Sequence, residues 1–61
     1  MWIKTQSDDL VNSDRVIRIY FDGSHTICDF RNSSEVITEG NAIPTIINSL
    51  RRGDNYLGVH L

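Results

Sequence analysis

The side chains able to do chemistry are few: Cys28, His25 and His60, and a run of oxygen donors at Asp8, Asp9, Asn12 and Asp14. A thiol becomes a nucleophile when a neighbouring base or cation lowers its pKa. Cys28 instead sits in an alternating apolar run whose pattern turns it toward the interior, where a free cysteine behaves as a small hydrophobe. His25 flanks a turn and His60 stands next to Leu61, neither with an evident orienting carboxylate, so both are read as surface histidines and no triad or dyad is expected. Two histidines and one cysteine at spacings of three and 32 residues fit no zinc pattern. The acidic run lacks the glycine and terminal glutamate of a calcium loop, so its members are read as turn formers. Gly23, Gly40, Gly53 and Gly58 never combine into a phosphate-binding loop ahead of a helix. The expectation is a protein that is not an enzyme, with no catalytic, cofactor-binding or metal-binding residue and no small-molecule substrate.

Cations offer a second kind of chemistry. Arg51 and Arg52, with Arg15, Arg18, Arg31 and the ring of Tyr20, could form a patch for nucleic acid. The competing reading is structural, because cations at 51 and 52 suit the negative end of a helix and Arg18 has Asp29 across a hairpin. Six Lys and Arg against eight Asp and Glu give a net charge of −2, so no strong positive field draws polyanions or anionic lipid.

What must position these groups is small. Sixty-one residues suffice for one domain, 1–61, and a chain of that length buries only about 60% of its unfolded surface, so its core is expected to be thin. At 39% hydrophobic and 23% charged the composition is globular. A single cysteine allows no internal disulfide, which points to a reducing compartment. No basic-then-apolar leader and no run near the roughly 20 apolar residues of a spanning helix is present, so the expectation is a cytoplasmic protein without a membrane partner.

The fold class expected is α+β: a small antiparallel meander of about five strands, one helix packed on one face, and a C-terminal strand. Trp2–Thr5 and Leu10–Asn12 flank the turn formers Gln6–Asp9 and read as a first hairpin, with Asp able to tolerate a left-handed backbone. Val16–Asp22 and His25–Arg31 flank Gly23-Ser24, a two-residue turn that fixes the register. Phe21 then faces Thr26, Ile19 faces Cys28 and Ile17 faces Phe30 on one side, with Tyr20 facing Ile27 and Arg18 facing Asp29 on the other. Glu35–Glu39 returns as a strand, placing Ile37 opposite Cys28 if the loop at Asn32-Ser33 is equally short. Beyond Gly40 the period changes: Ile43, Ile46, Ile47 and Leu50 share one stripe of a helix, with Asn41 as N-cap and Gly53 as stop, and this stripe should cover the apolar face of the sheet. Leu57, Val59 and Leu61 alternate with Tyr56, Gly58 and His60 as a last strand.

So thin a core invites completion by another chain. Trp2 is either a lid on the core, the favoured reading, or an interface anchor. Candidate interface residues are Trp2, Tyr20, Ile27, Tyr56, Leu57, Val59 and Leu61, and the expected partner is a second copy or another protein, by strand addition or by exchange of residues 54–61. The alternative is nucleic-acid contact through Arg51 and Arg52.

The blocks MWIKTQ, LVN, DRVIRIY and VIT resemble a group of very short proteins of Gram-positive bacteria and their phages that begin M-W-I-x-T-x, continue through L-V-N and a strand ending in Tyr, and finish with a strand and a helix. The resemblance spans residues 1 to about 40 and implies a sheet-plus-helix domain with no assigned activity, acting as a phage-related or bacterial accessory protein. Asp8-Asp9 stand where that group would have a glycine, and Tyr56–Leu61 is an addition to its pattern. A fainter similarity is to LytTR-type DNA-binding domains, in which strands like IKTQ and RVIRIYFDG lead to a helix and a strand like YLGVHL. That family continues past this strand with its DNA-contacting residues.

Overall fold

The structure, a computed structural model, describes residues 1–59, and the expectations for His60 and Leu61 lie outside them. Strands β1 (Trp2–Lys4) and β2 (Leu10–Asn12) form the expected first hairpin, antiparallel, with Ile3 opposite Val11. Its tight turn exists because Asp8 takes a left-handed backbone (φ 67°) and Thr5 holds both ends: its N–H reaches the Asp9 carbonyl (2.8 Å) and its hydroxyl accepts the Asp9 N–H (3.1 Å). A single 3₁₀ turn, Ser13–Arg15, capped by the Asn12 side chain, leads into β3 (Arg18–Phe21). Next come β4 (His25–Asp29), β5 (Ser34–Glu39), α1 (Ile43–Arg52) and β6 (Tyr56–Gly58).

The α+β class stands, but the meander does not run as one sheet. Two three-stranded sheets form, ordered β2-β1-β6 and β3-β4-β5. In the first, β6 lies parallel to β1, joining the two ends of the described chain with Ile3 opposite Leu57. No local pattern announces a pairing between strands more than fifty residues apart, whereas a hairpin is written in its own turn.

The second sheet keeps the expected β3–β4 register: Arg18 faces Asp29, Ile19 faces Cys28, Tyr20 faces Ile27 and Phe21 faces Thr26. Gly23 takes φ 101°, which a side chain would resist, and Asp22 Oδ1 accepts the N–H groups of Ser24 (2.8 Å) and His25 (2.7 Å). The β4–β5 expectation is corrected: Glu35, not Ile37, faces Cys28, because the ladder shifts between Thr26 and Ile27 and leaves Ile37 as an extra residue. That bulge turns both Ile37 and Thr38 inward on a strand that would otherwise alternate, and it leaves Val36 exposed.

The core lies between the sheets and α1 and consists of Ile3, Val11, Cys28, Ile37, Ala42, Ile46 and Val59. Gln6 ties the sheets together. Its N–H donates to the Ile37 carbonyl (2.7 Å), and its Oε1 accepts the Glu39 N–H (2.7 Å) and the Thr38 hydroxyl (3.3 Å). The fully buried Thr26 hydroxyl donates to the Gly40 carbonyl (2.7 Å) and accepts the Ala42 N–H (2.8 Å), so it fixes where β5 hands over to the helix.

The helix corrects a further expectation. Ile46 packs inward, but Ile47 and Leu50 are exposed, and the buried helical partner of Ile46 is Ser49. The inner side therefore runs Ala42, Ile46, Ser49, and Ser49 is tolerated there because its hydroxyl donates to Asp54 Oδ2 (2.7 Å). Ala42 is the cap residue; Asn41, one position earlier, accepts the Ile43 N–H through its side chain (3.0 Å). Gly53, left-handed at φ 74°, ends the helix as expected.

Candidate functional site: two exposed apolar surfaces

Cys28 is fully buried and its thiol donates to the Glu35 carbonyl (3.5 Å). Burial, with the Glu35 charge nearby, pushes its pKa up, away from the thiolate a nucleophile needs. Among the described residues no three His, Cys, Asp or Glu side chains converge as ligands of a metal ion would. Asp8 pairs with Lys4 (3.0 Å), while the Asp9 carboxyl beside Glu35, together with burial, raises the Glu35 pKa.

Two of the five arginines, Arg18 and Arg52, are engaged within the chain. Arg18 donates through Nε (3.1 Å) and a terminal nitrogen (2.9 Å) to Asp29 Oδ2 and lies 4.3 Å from the Tyr20 ring centre. The Ser34 hydroxyl bonds Asp29 Oδ1 (2.7 Å), and this bond first, then Arg18, lowers the Asp29 pKa. Arg52 reaches Asp54 Oδ2 (3.2 and 2.9 Å), and Asp54, held first by the Ser49 hydroxyl and then by Arg52, is likewise lowered. Arg51 is exposed beside it on the last helical turn.

What the fold leaves open is apolar. On the first sheet strict alternation buries Ile3, Thr5, Val11 and Val59 and turns Trp2, Lys4, Leu10, Asn12 and Tyr56 outward. The register sets Trp2 between Asn12 and Tyr56, so two aromatic side chains stand on adjacent strands with Leu10 beside them. Trp2 is 50% exposed and Tyr56 54%, so Trp2 is not the lid on the core.

The second surface is a groove of about 470 Å³ between α1 and β3. Ile17 and Ile19 line its strand side; Ile43, Ile47 and Leu50 line its helix side. It exists because the helix turned Ser49 rather than Leu50 inward, leaving Leu50 53% exposed above Ile17, which is 70% exposed.

Of the residues singled out in the sequence, the fold brings Trp2 and Tyr56 together. Tyr20 and Ile27 pair on the opposite sheet, half-buried. Leu57 packs against the core and Val59 belongs to it, with the Val59 N–H bonded to the Lys4 carbonyl (3.1 Å), so residues 54–59 pack on their own chain. The alternation with Val11 makes the exposure of Leu10 legible in the sequence, whereas hydropathy assigns Ile17, Ile47 and Leu50 to a core and the structure exposes them. No protein-family model, no curated protein and no solved structure matches the chain. Among the described residues no helix is long and apolar enough to cross a membrane.

Proposed function

We propose that this is a small non-enzymatic protein-interaction module working through exposed apolar surface, either by self-association or as a bacterial or phage accessory protein that modulates a host protein. The observation that carries this reading is the exposure, among the described residues, of eight large hydrophobic side chains, Trp2, Leu10, Ile17, Phe21, Val36, Ile47, Leu50 and Tyr56, six of them gathered on the two surfaces described above and Ile17 and Leu50 lining the same groove. The accessory role follows the resemblance of the amino-terminal block. Light scattering behind gel filtration over a concentration series tests self-association: a mass rising toward two chains, little changed by salt, is expected, and a monomer at millimolar concentration defeats it.

The alternative, a LytTR-like nucleic-acid binder, would rest on exposed Arg51 beside Arg52. The two hydrogen bonds that Arg52 donates to Asp54 Oδ2 count against it. A duplex-DNA titration at low salt that shows no association removes it; steeply salt-dependent binding would favour it over the first reading.

A further inference from the structure

Sheet edges differ in how well they are closed. The outer edge of β5 is capped by Gln6, and β2 and β6 are three residues long. The outer edge of β3 is four residues long, has no proline or inward lysine to blunt it, and is preceded by the most exposed aliphatic side chain in the described chain, Ile17, whose own N–H is held by the Asp29 carbonyl (2.8 Å). We propose that this edge pairs antiparallel with β3 of a second copy about a two-fold axis at Ile19, giving one six-stranded sheet in which Phe21 of each copy enters the groove of the other. The proposal rests on the interaction reading above and names the occupant of one of its surfaces.

Register is what selects this partner. A two-fold axis normal to the sheet keeps each side chain on its own face, so only pairings between residues of equal parity survive. Centred on Ile19, the helix-side face sets Ile17 against Phe21 of the second copy and Ile19 against its own equivalent. Phe21, 40% exposed in its own chain, thereby meets the Ile17, Ile47 and Leu50 wall. On the other face Arg18 comes opposite Tyr20 of the second copy, the ring type it already covers in its own chain, with Asp22 of that copy diagonal to it. Moving the axis to Arg18 would oppose two guanidinium groups. Moving it to Tyr20 would set Ile17 opposite Gly23, whose side has nothing within 4 Å, and leave that isoleucine bare. Charge and apolar match thus agree on one register.

The test is self-association of the full chain and its variants by light scattering and sedimentation. Ile17→Lys and Phe21→Lys should each weaken the dimer by roughly 30-fold or more, because the axis repeats each change, while Asn48→Ala, at an exposed helix position outside the groove, leaves it intact. The chain carrying Ile17→Lys with Phe21→Lys and the chain carrying Ile17→Glu with Phe21→Glu should each be monomeric alone and form a one-to-one dimer when mixed. That recovery excludes simple misfolding. A dimer that survives the lysines, or variants that fail to recombine, overturns the β3 geometry while leaving the interaction reading in place. A dimer lost in Trp2→Ala but not in Phe21→Lys also overturns it, and moves the contact to the first sheet. A wild-type chain that never dimerises overturns both.

Discussion

The outer face of the first sheet and the groove beside α1 are both apolar and both open, yet they arise differently. On the sheet, burying Ile3 and Val11 forces Trp2 and Leu10 outward, because successive strand side chains point to opposite sides. Nothing else could be done with those residues. On the helix, four aliphatic side chains shared one stripe, and any of several rotations would have buried most of them. The rotation adopted buries Ala42, Ile46 and Ser49 instead, because the hydrogen bonds of Thr26 to Ala42 and of Ser49 to Asp54 fix the start and the end of the helix. A period-two pattern dictates exposure; a period-3.6 pattern leaves it to polar anchors.

The largest expected effect tests that rotation. Ile46→Ala should cost about 2–5 kcal/mol in denaturant unfolding, as for other buried aliphatics, and Leu50→Ala on the same helix about 0.5 kcal/mol or less. Equal costs would return the helix to the stripe its sequence suggests and abolish the groove. Next in size is Thr26→Val, which keeps the volume but strands the Ala42 N–H and the Gly40 carbonyl. It should cost about 1–3 kcal/mol. If the anchor works as described, this variant also loosens the first turn of α1, visible as faster amide exchange at Ile46, whose N–H bonds the Ala42 carbonyl. Smaller again, Trp2→Ala should change stability by about 1 kcal/mol or less, against about 2–5 kcal/mol for its neighbour Ile3→Ala. A large cost for Trp2→Ala would make the ring a core lid after all.

Legibility in the sequence followed the range of the signal. The β3–β4 hairpin was readable for four of its five expected cross-strand pairs, since Gly23 fixes the turn; the fifth, Ile17 with Phe30, does not form, because Ile17 lies ahead of the strand with its N–H on the Asp29 carbonyl and its side chain exposed. The first hairpin was readable too, down to the left-handed aspartate at its tip. The β1–β6 pairing was not, because parallel neighbours share no turn, and with it went the split into two sheets. The bulge at Ile37 escaped because its cause is tertiary: Ile37 and Thr38 both face inward where Gln6 crosses from the other sheet. For the candidate site, Trp2 and Tyr56 were named but not their adjacency, which depends on that same parallel pairing. The groove was invisible because its walls carry residues that hydropathy assigns to a core.

The smallest expected effect separates charge from packing at the junction of the two sheets. Asp9 comes from the turn of the first hairpin and Glu35 from β5, and their proximity with partial burial raises the Glu35 pKa above its ordinary 4.5. A raised carboxyl binds its proton more tightly when folded. It therefore contributes stability that is complete below about pH 4.5 and disappears as pH climbs through the folded value. Asp29 and Asp54 act in the other direction: lowered below 3.8, they contribute stability above that pH and lose it as pH falls through their folded values. Glu35→Gln should therefore raise the midpoint of thermal unfolding at pH 7 and change it little at pH 4, where the wild-type carboxyl is already protonated. Asp29→Asn should do the reverse, lowering the midpoint at pH 7 by an amount that shrinks as pH falls below 3.8 and through the folded value. If Glu35→Gln were neutral at pH 7, the two carboxyls would not be sharing a site, and the approach of the first hairpin to β5 would rest on Gln6 alone.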